Sequence, residues 1–248
     1  MTGRLAQIYR HPIKGHGREA IASVRLLVGA CLPWDRRWAV AHEAAKLVPG
    51  WNRCANFARG AKAPALMAMT CALDEATATV TLRHPDRGEF RFRPDDAAES
   101  ARFLDWAGPL NPTDRAQPTS IYTTDVGLTD SNYPSISILS RASLADLSAR
   151  MGMDLAEHRF RGNLWLDGAT AWAEEAWVGK HIRIGGAVLK IEERIERCSA
   201  TTVDPETGVP NAPTLMALKA AFGHQDFGVF GVVVEAGPIA VGDEWRLA

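Results

Sequence analysis

Two stretches of the chain alternate with a period of two residues. Thr77 to Leu82 sets threonine against apolar residues, and Glu89 to Arg93 sets charge against aromatics. That period predicts half-buried strands, with Arg83-His84-Pro85-Asp86-Arg87-Gly88 as the loop of a hairpin. Leu5 to Arg10 reads as a further strand, ending at the turn-prone His11-Pro12-Ile13-Lys14-Gly15. Ala22 to Leu27 and Arg37 to Ala41 suit two more, broken by Leu32-Pro33-Trp34-Asp35. In the second half, His181 to Ile191 predicts a hairpin turning on Gly185-Gly186, the residues a primed two-residue loop requires. Phe227 to Glu235 and Val241 to Arg246 give two strands on either side of Gly237-Pro238.

Helices are few. Pro94-Asp95-Asp96 opens one that stops at Gly108-Pro109, with Phe103, Leu104 and Trp106 along it. Ser140 to Met151 forms the clearest, capped by Ser140 and closed by Gly152. Thr214 to Phe222 forms a third, ending at Gly223. Many short strands with few helices predict a mainly β fold of α+β type, a β-barrel core with helices laid over it. Residues 109–134 carry Pro109, Pro112, Pro118, Gly127 and Pro134, and read as an irregular connection between regions 1–108 and 135–248. The two regions are free to pack as one unit.

Composition narrows the class. In 248 residues, 46% are apolar and 23% charged, the balance of an ordinary globular protein. A net charge of -1 argues against a general binder of nucleic acid or of membrane surfaces. No apolar run is long enough to span a bilayer, and Met1 to Ala6 leads straight into a strand without a signal-peptide core. The expected location is the cytoplasm. The four cysteines, at 31, 54, 71 and 198, form no CxxC pair, no zinc-finger spacing and no iron–sulfur set. Any redox chemistry would therefore draw its electrons from another polypeptide.

No nucleophile elbow, Walker loop or dinucleotide fingerprint is present. Attention falls on Cys198, at a strand end between the basic residues Arg194 and Arg197 and the turn that begins at Ser199. Cationic neighbours favour a thiolate, which is both a nucleophile and a soft metal ligand, although an unpaired cysteine also serves as a small buried hydrophobe. Lys14, between Pro12-Ile13 and Gly15, is placed to meet an anion or simply to be solvated. Arg36 and Arg37 enter a strand side by side, so at most one lines a given pocket. Arg159, Arg161 and Asn163 share one face at strand spacing, a plausible phosphate site or an exposed strand face. Glu174 and Glu175 suit acid–base work or loop charge, while His158 and His224 carry little weight as metal ligands.

The order of these segments resembles the MOSC family, named for the C-terminal domain of molybdenum-cofactor sulfurases. It runs Pro12-Ile13-Lys14, Asp35-Arg36-Arg37-Trp38, Ser137-Ile138-Leu139-Ser140, Arg159-Phe160-Arg161-Gly162-Asn163 and Glu174-Glu175-Ala176-Trp177-Val178-Gly179. Arg197-Cys198, Thr201 to Gly208 and Val241-Gly242-Asp243 complete it. The resemblance implies an N-terminal β-barrel-like region over 1–108, a MOSC barrel over 135–248, and binding of the molybdenum cofactor, a molybdopterin dithiolene complex. By the same resemblance Cys198 ligates molybdenum. Lys14, Arg36 or Arg37, Arg161 and Asn163 hold the pterin and its phosphate, Arg197 joins them, and Thr201 and Thr202 lie beside the metal. Thiolate sulfur and a basic cradle suit that group chemically. The chain departs from the family pattern at Gly15, where serine is frequent, and at Gly162, where proline is usual. No pyridoxal phosphate domain and no ferredoxin-like domain is expected.

The family implies reduction of small N-hydroxylated compounds such as amidoximes, with a separate electron-donor protein. Two other readings share the same thiol: a sulfur-transfer protein carrying a persulfide on Cys198, and a non-catalytic carrier of the cofactor. A pocket repurposed for another phosphorylated small molecule would keep the fold alone.

Overall fold

In the computed structural model, which describes residues 1–247, seven strands close into a barrel. Around the barrel the order is Leu164–Asp167, Ile136–Ser140, Asp226–Glu235, Ala187–Glu196, His181–Ile184, Glu244–Leu247 and Thr2–Arg10, which pairs back onto Leu164–Asp167. Closure removes the open sheet edges that would otherwise invite aggregation. Alternate residues point inward and fill the barrel with Leu5, Ile138, Leu166, Ile184, Leu189 and Trp245, all fully buried. All pairings within the barrel are antiparallel except that of Ile136–Ser140 with Leu164–Asp167. A parallel pair needs a crossover, and the helix Arg141–Met151 supplies it. The Ser140 hydroxyl accepts from the Ser143 amide at the helix start, and Gly152 ends the helix at φ 63°.

The first strand sits between Glu244–Leu247 and Leu164–Asp167, so the C-terminal barrel is completed by N-terminal residues. The rest of the N-terminal half packs beside it. Ile13–Lys14, Trp38–His42 and Pro118–Thr123 form one small sheet, and Thr70–Asp74, Thr79–His84 and Gly88–Phe92 form a meander. The helix Ala97–Ala107 covers them, with Phe103 stacked on Phe92 at 4.5 Å between ring centroids. Asp96 caps it by accepting from the Glu99 amide.

Three expectations need correcting. The stretch 109–134 contains a six-residue strand, Pro118–Thr123, which pairs with Trp38–His42 while its Thr and Ser residues stay exposed, so no apolar alternation marks it. Gly237–Ala240 is itself a strand against Ser23–Leu26, and the last barrel strand begins only at Glu244 after a turn. Proline is tolerated in such a two-stranded edge pairing. Finally, Arg159 and Arg161 do not share a strand face. Glu157–Phe160 is a turn of 3-10 helix, Arg161 follows in the left-handed conformation, and the strand starts at Leu164.

Candidate functional site

Cys198 leaves the long strand Ala187–Glu196 and caps a 3-10 turn, Ser199–Thr202, with its thiol exposed. The two threonines of that turn hold the loop in shape. Thr201 donates to the Cys198 carbonyl at 3.1 Å and meets the Thr214 hydroxyl at 2.7 Å, while Thr202 donates to the Ser199 carbonyl at 2.7 Å. Both hydroxyls are committed to the loop, so they position the cysteine rather than line the main cavity.

That cavity measures about 430 Å³, and Cys198 stands in its wall. Lys14, Arg36, Arg161, Asn163 and Arg197 line it too, drawn from both halves of the chain. Six cationic side chains face it, Lys14, Arg36, Arg161 and Arg197 with Arg59 and Lys62, against the two carboxylates Asp130 and Glu196. A chain of net charge -1 thus concentrates an excess of four positive charges in one concavity. Such a wall attracts a multiply charged anion.

Each cation is held differently. Lys14, 5% exposed, donates to the Leu128 carbonyl at 2.7 Å and pairs with Asp130 at 2.6 Å. Asp130 reaches solvent through the cavity yet is ringed by protein. That surrounding opposes its charge, but Lys14, Arg36 and Arg197 outweigh it and hold the carboxyl down to about 2. Arg36 pairs with the buried Asp35, which also accepts the His11 amide at 2.7 Å. Burial disfavours charge on Asp35, and Arg36 and His11 reverse the balance, leaving its carboxyl well below the usual range. His11 and His16 go the other way: burial pushes them to about 3 and about 4, so both rings are neutral.

Arg197 is engaged at every nitrogen. The three donate to the carbonyls of Phe160 and Phe227, and the guanidinium lies 5.6 and 5.9 Å from those two rings, which stack on each other at 4.1 Å. Arg161 is not. Its Nη1 donates to the Gly17 carbonyl at 3.1 Å, but Nη2 is buried without an acceptor, and desolvation followed by the nearby Arg36 lowers its pKa to about 9. A buried guanidinium with a spare donor, at a cavity wall, fits an incoming oxyanion. Asn163 is locked in place: its side-chain oxygen accepts from the Ser137 hydroxyl at 2.8 Å and its amide donates to the Tyr9 carbonyl at 3.2 Å.

Arg37 lies elsewhere. It pairs with Asp125 at 2.6 Å, covers Trp34 and Trp38, and lines a separate surface hollow, because Arg36 turns away in left-handed backbone before the strand begins at Trp38. Arg194, expected to flank the thiol, is occupied by Glu175 and Asp226. Sequence reasoning missed the opposite lip of the cavity, where Cys54, Arg59 and Lys62 stand. Its one signal is a pair of basic residues around Gly60 in an otherwise apolar loop.

The model of the MOSC N-terminal beta barrel domain matches residues 2–116, and that of the MOSC domain matches residues 127–246. The chain belongs to the MOSC family. Among its relatives, the human mitochondrial amidoxime-reducing component 1 is 34% identical over 118 residues, which is 43% of this chain and 34% of that protein. The molybdenum cofactor sulfurase of Drosophila erecta is 26% identical over 133 residues, covering 53% of this chain and 16% of its own length. The matched stretches therefore span well under half of either relative. The crystal structure of the YUAD protein from Bacillus subtilis aligns with the whole of this chain and 96% of its own, at 15% identity and a TM-score of 0.48. No helix among the described residues is long and apolar enough to cross a membrane.

Proposed function

We propose that this MOSC protein is a molybdenum-cofactor-dependent oxidoreductase that reduces small N-hydroxylated compounds, with Cys198 as the metal's protein ligand. The observation that carries it is a thiol standing in the wall of a cavity whose cations exceed its anions by four. A dithiolene cofactor with a dianionic phosphate asks for that combination, a soft sulfur ligand beside hard-anion donors. The spare Nη2 of Arg161 supports the fit, since a buried donor without an acceptor is what such a phosphate satisfies. The amidoxime-reducing relatives point to the substrate class.

In this reading Arg161, Arg36 and Lys14 hold the phosphate end, and Asn163 and Arg197 shape the wall between it and the thiol. Asp130 stays ionised and keeps Lys14 in place rather than delivering a proton. The bound cofactor supplies a metal able to take up the oxygen of an N–O bond. The net change consumes two electrons and two protons and gives the N–H product and water, the electrons coming from a separate donor protein.

A second reading, sulfur transfer through a Cys198 persulfide, draws on Cys54, a second thiol lining the same cavity and touched by Arg59 at 2.8 Å. Elemental mass spectrometry on wild type and Cys198→Ala, purified from a cofactor-competent host, separates the two. Near-stoichiometric molybdenum in wild type that collapses in the variant supports the metal ligand. Absence of metal from both, with a persulfide on Cys198 after incubation with a cysteine desulfurase, supports sulfur transfer instead.

A further inference from the structure

Adjoining the main cavity is a second chamber of about 340 Å³, and the two share Cys198, Phe160, Arg161 and Arg197 in their walls. The smaller chamber adds Arg159, which the larger one does not reach. Its volume falls near the lower end of the about 300–1,000 Å³ that small-molecule sites occupy, room for a compound of one or two rings.

Arg159 is 3% exposed, and only its Nη2 is used, donating to the Asn211 side-chain oxygen at 2.7 Å. Nε and Nη1 are buried with no acceptor. The nearest carboxylate, Asp204, is 3.8 Å away and is itself engaged by the amides of Glu206 and Thr207 and by Asn211. Of the other arginines of this chamber, Arg197 has a carbonyl for each nitrogen and Arg194 is paired with Glu175 and Asp226, while Arg161 shares its spare donor with the larger cavity, where the reading above places the phosphate. Of the chamber's exposed charged residues, Glu193, Glu196 and Asp130 are acidic against the single arginine Arg194, so the rim has an acidic excess above a buried basic floor. An arginine kept dry with two free donors presents a planar fork to an anion that enters from outside.

We propose that the smaller chamber receives the reducible substrate and that Arg159 makes it selective for N-hydroxylated compounds bearing a carboxylate or phosphate. This rests on the reductase reading for the identity of the substrate, while the anion preference rests on Arg159 alone. The acidic rim repels the anionic group and the basic floor draws it in, which leaves the other end of the compound toward the shared wall at Cys198.

The test compares benzamidoxime with para-carboxybenzamidoxime, and N-hydroxyadenosine with its monophosphate, as substrates of the molybdenum-loaded protein. Wild type should favour the anionic member of at least one pair by about tenfold in kcat/KM, the effect of one charge-assisted contact. Preference in the first pair names a carboxylate, preference in the second a phosphate. In Arg159→Gln the ratio should fall to about one, and Arg159→Lys, which keeps the charge without the fork, should retain part of it. A wild-type ratio of one in both pairs overturns the proposal, as does a ratio that survives in Arg159→Gln. Calorimetric binding of para-carboxybenzamidine against benzamidine gives a readout without turnover. If the protein reduces nothing but still binds the carboxylated probe about tenfold more tightly through Arg159, the reductase reading has failed and the anion site stands. Equal binding of the two probes by active wild type, together with no preference for the nucleoside monophosphate, removes the anion site and leaves the reductase reading intact.

Discussion

Arg36 donates from Nη2 to the main-chain carbonyl of Arg161 at 3.1 Å, and both residues hold left-handed backbone, at φ 52° and 46°. They lie 125 positions apart, one on each side of the division suggested by the sequence. Left-handed backbone at a non-glycine residue costs on the order of 1–3 kcal/mol and persists only where the surroundings enforce it. Here the enforcement is visible: the Arg36 amide donates to the His11 carbonyl, its carbonyl accepts from the Leu128 amide, and its side chain answers Asp35. The strain fixes two guanidinium groups on one cavity wall.

The two arginines should therefore respond differently to removal. Arg36→Ala leaves Asp35 buried and unpaired, a loss of about 3–5 kcal/mol by the usual cost of breaking a buried ion pair. Arg161→Gln removes a charge that has no carboxylate of its own and keeps a donor for Gly17, so stability should move by about 1 kcal/mol or less. Urea denaturation checks both values. Molybdenum retention should fall in both variants, and a fall in Arg161→Gln without loss of stability would mark a binding role rather than a structural one.

Arg37→Ala provides the contrast. Its ion pair with Asp125 is exposed, and its guanidinium lies 5.2 and 5.7 Å from the rings of Trp34 and the buried Trp38, so the loss should be about 1 kcal/mol or less. Molybdenum content should match wild type. A metal-free Arg37→Ala protein of normal stability would mean that the cofactor extends beyond the main cavity.

Gly15 explains one departure from the family pattern. Its φ is 76°, and an added Cβ would sit 2.6 Å from the Ala58 carbonyl oxygen, so a side chain meets both strain and rigid backbone. Gly15→Ser should cost roughly 1–3 kcal/mol from the backbone conformation alone, with the clash added to it. It should also shift the adjacent Lys14. Gly29, at φ 65° with nothing within 4 Å of an added Cβ, isolates the conformational part, so Gly29→Ala should cost about 1 kcal/mol. Equal losses at the two positions in thermal or urea melts would show that the loop at 58–59 yields.

What the sequence made legible was local. The helices were marked by their own caps, Asp96, Ser140, Gly152 and Gly223, and the hairpin at Gly185-Gly186 by its turn. The strand Pro118–Thr123 was hidden because its partner, Trp38–His42, supplies the buried residues while it contributes exposed Thr and Ser. Barrel closure through Thr2–Arg10 depends on pairings more than 150 residues apart, which no local pattern encodes. At the site, motif order brought Lys14, Arg36 or Arg37, Arg161, Asn163, Arg197, Cys198, Thr201 and Thr202 together on paper, and the fold lines one cavity with all of them but Arg37 and the two threonines. The lip carrying Cys54, Arg59 and Lys62 had only the basic pair around Gly60 to mark it, since its place follows from how residues 59–61 pack against Ser199 and Ala200.

Glu174 offers a test through pH. It is fully buried, no donor is aligned on either oxygen, and desolvation lifts its pKa from 4.5 to about 6, which the nearby Ser143 only partly offsets. The folded chain thus holds this proton more tightly than the unfolded chain does. The resulting stabilisation is complete below about pH 4.5, fades as pH rises through 6, and is gone above it. A shift of about 1.5 units amounts to about 2 kcal/mol between the two limits. Glu174→Gln, which cannot ionise, should match wild type at about pH 4 and exceed it by about 2 kcal/mol at about pH 8. Urea midpoints across that range check it, and the difference between the two proteins cancels every other titrating group. A gap that stays constant from acid to base would mean that Glu174 keeps one charge state throughout, and that its burial is relieved by water or by local opening of the 173–177 turn.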